Sequence, residues 1–196
     1  MYQKNRFYQF NEKSNLNYKK SQTFVDDVVV LDFETTGLSP VRNEIIQIGA
    51  IKFKKAKMVD QFSRYAKASQ PIPPIITDIT GISDETVRDA PALEESLLGL
   101  RDFIGDHTLV AHNASFDMKF LLKNYHRYEI DYPPLTVIDS LVLARKYITQ
   151  TKNHKLTTLK EFLRMEAKSH DAIEDCRVTG QLYYYCKIMK ERQQNG

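Results

Sequence analysis

Residues 28–38 read VVVLDFETTGL. This stretch constrains the chain more than any other, because a run apolar enough for a fully buried strand ends in two carboxylates. Successive strand side chains point to opposite faces, so Val28, Val30, Asp32 and Glu34 share one face while Val29, Leu31 and Phe33 line the other. An ionised group buried without a partner costs several kcal/mol, and neighbouring carboxylates also repel. A fold that accepts this strand must put positive charge in front of Asp32 and Glu34.

The surrounding pattern predicts strands first and helices later. Residues 25–33, 44–53 and 58–66 read as three consecutive strands in an antiparallel meander. SQPIPPIITDITGISDETVRDAP is rich in proline and turn residues, with short helices expected at 74–80 and 83–88. Leu93, Leu97, Leu100 and Ile104 recur at helical spacing over 92–104. A strand at 108–111, a helix at 116–126, a strand near 135–138 and helices at 139–147, 156–164 and 172–190 complete the chain. This order predicts an α/β domain, a mixed sheet covered by helices.

Two further acids face inward on this reading. In LVAHNASFDMKFLLKNY, Asp117 lies three and four residues before Phe120 and Leu121, opposite Lys119 and Lys123. Ser115 is the expected helix cap, which leaves Asp117 without a capping role. In KSHDAIEDCRVTGQLYYY, Asp175 shares a face with Val178, Thr179 and Leu182, Asp171 or Ser169 can cap the helix, and His170 stands just before it. Asp32, Glu34, Asp117 and Asp175 thus converge from three elements, with no comparable set of inward-facing Lys or Arg to neutralise them. Hard oxygen ligands suit Mg²⁺ or Mn²⁺. A pair of such ions roughly 4 Å apart clamps the attacking and leaving oxygens of a phosphodiester, which points to phosphoryl transfer by hydrolysis.

At these residues the chain resembles the DEDD exonuclease superfamily, in its histidine branch and DNA polymerase III epsilon-subunit-like group. DFETTGL is similar to the first motif, HNASFD to the second and HDAIED to the third, where the histidine precedes the last aspartate by five residues. ITGISDETVRDAP and VIDSLVLARKY extend the resemblance across about residues 25–186. The resemblance implies a ribonuclease-H-like fold, a mixed five-stranded sheet flanked by helices. It implies that Asp32, Glu34 and Asp175 hold one of two divalent cations, Mg²⁺ or Mn²⁺, that Asp32 bridges to the second, and that Asp117 holds that second ion directly or through water. His170 becomes the general base, a side chain type suited to proton transfer near neutral pH. Thr35, Gly37 and Leu38 are expected to meet the terminal nucleotide, and His112 and Asn113 to line the substrate groove, with a structural role for His112 equally open. Asp139 is expected to cap a helix and not to bind metal.

The expected activity is 3′→5′ removal of nucleoside 5′-monophosphates from single-stranded or frayed DNA ends, in proofreading or repair. An exoribonuclease of the same superfamily and a non-catalytic nucleic-acid-binding module are the alternatives. With only KIMKERQQNG after the third-motif helix, a stand-alone nuclease or separated module is favoured over a stably assembled polymerase subunit.

The net charge of +3 is unevenly placed. Residues 1–24 carry Lys4, Arg6, Lys13, Lys19 and Lys20 against Glu12, and the remainder is slightly acidic. A solubilising arm is the plainer reading of this stretch and a nucleic-acid tether the sharper one, since Tyr2, Phe7, Tyr8 and Tyr18 interleave rings with these cations as in single-strand binders. The expected layout is therefore a loosely structured basic extension at 1–24, an exonuclease domain at 25–190 and a tail at 191–196. No run of ~18 apolar residues suits a membrane span, and no signal-peptide pattern opens the chain, so the cytoplasm is the default compartment. Cys176 and Cys186 fit reduced core thiols.

Overall fold

A computed structural model describes residues 18–167 and 169–195, with the side chain of Asn195 excluded. Six strands form one sheet: β1 (Lys19–Ser21), β2 (Asp27–Thr35), β3 (Ile45–Lys54), β4 (Lys57–Tyr65), β5 (Thr108–Ala111) and β6 (Thr136–Asp139). The helices are α1 (Pro74–Thr80), α2 (Asp84–Val87), α3 (Leu93–Ile104), α4 (Ser115–Arg127), α5 (Ser140–Tyr147), α6 (Leu156–Phe162) and α7 (Ala172–Asn195). The strand order is β1-β6-β5-β2-β3-β4. β2, β3 and β4 make the antiparallel meander, while β5, β6 and β1 continue the sheet in parallel with β2.

The alternation in β2 divides the interior. Val29, Leu31 and Phe33 pack with α3 and α4, whereas Val28 and Val30 pack with α5 and α7. Both cores are closed, and this is why the strand reads as continuously apolar. The parallel strands end at one edge of the sheet, where ligands of open α/β sheets usually bind.

α7 lies along β2 and β3 and is held at several points. Ala172 N–H donates to the Gln47 side-chain oxygen at 3.2 Å. The Cys176 thiol points at the Gly49 carbonyl, 3.3 Å away. Farther along, the Tyr183 hydroxyl accepts from Val25 N–H and donates to Val25 C=O, and Tyr184 donates to Asp26 C=O. Cys176 and Cys186 are buried free thiols, as expected.

Four sequence expectations are corrected. The sheet has six strands, not five, because residues of the supposed extension form β1: Lys19 N–H donates to Leu135 C=O at 2.9 Å, and Ser21 pairs with Ile138. The open edge of β6 supplies the hydrogen bonds that three residues could not organise alone. Phe24 then packs on Tyr183 with ring centroids 5.2 Å apart. The folded unit therefore begins before residue 25; the rest of the basic extension, with Lys4, Arg6 and Lys13, lies outside the described residues. At the other end α7 runs on through the supposed tail to Asn195, since Glu191, Arg192, Gln193 and Gln194 are all good helix formers. Finally, Ser115 does not cap α4. It is the first helical residue, and Ala114 occupies the cap position without a side-chain hydrogen bond.

Candidate active site

Asp32 and Glu34 project from the end of β2 toward α7, opposite Gly49 and Gln47 in the β2–β3 ladder. The register shifts between Glu34 and Thr35, a local irregularity of the kind that re-aims side chains beside sites. Asp175 comes from the first turn of α7. His170 precedes that helix in a left-handed conformation, φ 60°, and its N–H donates to the Asp175 carboxylate at 3.1 Å. Ligand atoms of Glu34, His170 and Asp175 all lie within 4.8 Å of one another. Asp117 arrives from the first turn of α4 and is buried. Where β5 stops and β2 continues, the Asp117 carboxylate is drawn to the N–H of Phe33 as well as to its own.

The electrostatics express the burial problem of the opening strand. Asp32 is pushed well above the usual carboxylate range by desolvation first, then by the charges of Asp117, Asp175, Glu34 and Asp171. Desolvation raises Glu34 to about 7, with Asp175 and Asp171 adding to it. Asp117 rises to about 8 for the same leading reason. Asp175 is raised by burial, against the pull of the His170 N–H and the charges of His170 and Lys160. Among the described residues, none of the ion pairs involves these four acids. A desolvated, mutually repelling carboxylate set fits divalent cations with oxygen ligands.

The remaining expected residues divide. The Thr35 hydroxyl donates to the Gly37 carbonyl at 2.7 Å, and Leu38 projects into solvent, 85% exposed. Gly37 has φ 155°, and a Cβ there would stand 2.8 Å from the Asn43 side chain. That side chain ties the loop by accepting from Ser39 N–H and donating to Thr36 C=O. Asn113 is exposed in a left-handed turn, φ 61°, its N–H donating to Asp139. Asp139 is a cap, as expected, accepting from Leu141 N–H at 2.9 Å.

His112, for which a groove role and a structural role are both open in the sequence, has both ring nitrogens engaged within the fold. Its Nε2 donates to the His154 carbonyl at 2.9 Å, and its Nδ1 accepts from the buried Ser140 hydroxyl at 3.0 Å. Both ring nitrogens are committed, and burial holds the ring below the ordinary histidine range. The side chain braces β5 against α5 and the stretch before α6.

Three residues near the site escaped the sequence reading. Gln47 anchors the start of α7. Gly49 lets that helix touch the sheet, since a Cβ would meet the Ala172 carbonyl carbon at 2.4 Å. Lys160 donates to Ala167 C=O at 2.8 Å and to the Ser169 hydroxyl at 2.7 Å, holding the loop that carries His170. Asp171 caps α7 by accepting from Ile173 and Glu174 N–H.

Comparison with known proteins identifies the family. A family model described as Exonuclease matches residues 29–183. The chain is 40% identical over 170 residues to the PolC-type DNA polymerase III of Bacillus subtilis, covering 86% of this chain and 12% of that protein. The PolC-type polymerase of Bacillus cereus is 40% identical over 169 residues, again with 86% and 12% coverage. The chain thus spans about one eighth of the length of these relatives. Among solved structures, Exonuclease X in complex with 5′ overhanging duplex DNA aligns with TM-score 0.64 and 26% identity, covering 84% of this chain and 92% of that one. Escherichia coli Exonuclease I in complex with a dT13 oligonucleotide shares the fold, with TM-score 0.75 at 17% identity, covering 87% of this chain and 43% of that one. With the family match running from Val29 in β2 through β6 into α7, and so over all four acids, this chain belongs to the exonuclease family, in its DEDD, DNA polymerase III epsilon-subunit-like group.

Proposed function

We propose that this chain is a metal-dependent 3′→5′ exonuclease that removes nucleoside 5′-monophosphates from single-stranded or frayed DNA ends, in proofreading or repair. The observation that carries the reading is the convergence of Asp32, Glu34, Asp117 and Asp175, with His170 beside Glu34 and Asp175. Asp32, Glu34, Asp117 and Asp175 would hold two divalent cations, Mg²⁺ or Mn²⁺, which when bound stabilise charge on the attacking and leaving oxygens. His170 takes the proton of the attacking water, and its exposed position lets the proton pass to solvent. The first turns of α4 and α7 aim their positive ends at the acids and at the phosphate that must sit among them. Thr35, Gly37 and Leu38 seat the terminal nucleotide, Leu38 offering an exposed apolar surface to its base, and Asn113 meets the strand at the start of α4.

DNA is the favoured substrate because the PolC-type relatives are DNA polymerases and Exonuclease X is seen on duplex DNA. That relation also supports a role beside a polymerase, in replication or repair. Matched 3′-labelled DNA and RNA oligomers with Mg²⁺ test the reading. Release of 5′-monophosphates from DNA faster than from RNA is expected, and faster loss of RNA would replace DNA with RNA as the substrate. No hydrolysis of either, with oligomer binding retained, would leave only a nucleic-acid-binding module.

A further inference from the structure

The strand that the family pattern did not lead one to expect, β1, builds a groove. A cleft of about 360 Å³ lies between the end of β1 and the first turns of α4 and α5, lined by Tyr18, Lys20, Gln22, Ser115, Asp139 and Val142 among others. Its size is within the ~300–1,000 Å³ typical of small-ligand clefts. The cleft opens at the same sheet edge as the acids. Val30 is level with Val110, Ala111 with Asp139, and Ile138 with Ser21, so Asp32, Asp139 and Gln22 lie within one residue of a common line. Three strand spacings of ~4.8 Å separate β2 from β1, which places the groove about 14 Å from Asp32. Ser115 lines the groove while Asp117, two residues on, joins the acids, so one turn of α4 serves both places.

We propose that this groove is a second nucleotide subsite, which holds single-stranded nucleic acid upstream of the nucleotide being removed. The proposal rests on the exonuclease reading for the identity of the strand. Tyr18 supplies an aromatic face and Lys20 a cation, its ammonium 5.9 Å from the Tyr18 ring centroid. This is the pairing by which single strands are bound without sequence preference, with bases stacked and phosphates neutralised. Ser115 and Gln22 add polar groups to the lining. The Asp139 carboxylate in the lining is already engaged by Asn113 and Leu141 N–H, which offsets its charge toward an anionic strand. A strand seated here and at Asp32 would cross Asn113, the exposed residue between them.

Two substrates of different reach test the proposal. Thymidine 5′-p-nitrophenyl phosphate occupies only the terminal site, whereas a dodecanucleotide spans both. Lys20→Gln and Tyr18→Ala are expected to raise KM for the dodecamer, the latter roughly tenfold, and to leave kcat and the small ester unchanged. Lys20→Gln should also reduce the salt dependence of dodecamer binding by about 0.7 in the log–log slope. Tyr18 is partly buried, so Lys20→Gln, at an exposed position, keeps the test sharp if Tyr18→Ala unfolds β1. Variants that alter both substrates equally, or neither, overturn the subsite. If the parent protein hydrolyses neither substrate, the exonuclease reading fails instead. Anisotropy of a labelled phosphorothioate dodecamer in EDTA then decides the groove: weaker binding by Lys20→Gln supports it and unchanged binding overturns it.

Discussion

Gly49 stands directly across the ladder from Asp32, and the helix that brings Asp175 to Asp32 rests on it: a Cβ at Gly49 would lie 2.4 Å from the Ala172 carbonyl carbon and 2.5 Å from its oxygen. The close approach is backbone against backbone, so no rotamer change relieves it. Gly49→Ala must push the start of α7 off the sheet, carrying Asp175 and His170 away from Asp32 and Glu34. A displacement of 1 Å costs on the order of 10²-fold in rate. The expected result is a loss of about that size in kcat at saturating Mn²⁺, with a cooperative melt retained. An unchanged kcat would mean that the helix start does not set the site.

His170 separates conformation from chemistry. Its left-handed backbone, φ 60°, is one that asparagine and glycine tolerate well. His170→Asn and His170→Gly should therefore keep the melting temperature while lowering kcat by roughly 10²–10⁴, the usual contribution of a general base. Full activity in either variant would remove His170 from the proton transfer. A fall in stability without a fall in kcat would assign it a structural role instead.

Lys160 acts on the site through the loop it holds and through its charge. Lys160→Met keeps most of the aliphatic stem and deletes the donors to Ala167 C=O and the Ser169 hydroxyl. It also removes a charge that favours ionised Asp175. Metal affinity should weaken by about 10–100-fold, the range for groups that orient ligands. Activity titrated against Mn²⁺ checks this: the half-saturating concentration rises and excess metal restores the rate. A lower maximal rate with unchanged metal dependence would contradict it.

The division between what was legible in the sequence and what was not follows from range. Val28 to Glu34 announce strand, faces and burial conflict within seven residues, and Asp117 and Asp175 declare their faces within one helical turn. The elements from β2 to α6 accordingly fall close to their expected bounds. Gln47 and Ala172, by contrast, are 125 residues apart, and nothing local marks a glutamine in a strand as a helix anchor. Gly49 is likewise unmarked locally, because the residue it lets approach, Ala172, lies far along the chain. β1 is three residues long and gains its order from β6, so no periodicity could show it. His112 was ambiguous for the same reason: its partners Ser140 and His154 lie far along the chain.

The raised pKa values of the four acids predict a stability that depends on pH and, through the proposed cation site, on metal. Glu34 is raised to about 7 and Asp117 to about 8 by burial, whereas an unfolded carboxylate titrates near ~4. Between these values the folded protein binds more protons than the unfolded chain, so stability falls as pH rises. The contribution is fully present below pH ~4 and is lost as pH passes through about 7 and 8. In EDTA the melting temperature should therefore drop steadily between pH 5 and 9. Divalent cations at the proposed site would bind the ionised form and reverse the trend, so Mn²⁺ should stabilise strongly at pH 8 and weakly at pH 5. Asp117→Asn removes one buried charge without changing the shape of the side chain. It should raise the melting temperature in EDTA at pH 8, flatten the pH dependence, shrink the stabilisation by Mn²⁺ and abolish hydrolysis. Scanning calorimetry of both proteins over pH 5–9, with and without Mn²⁺, checks all four outcomes. A melting temperature of the parent protein that is flat across this range in EDTA would show that the acids are not held in the desolvated cluster described above.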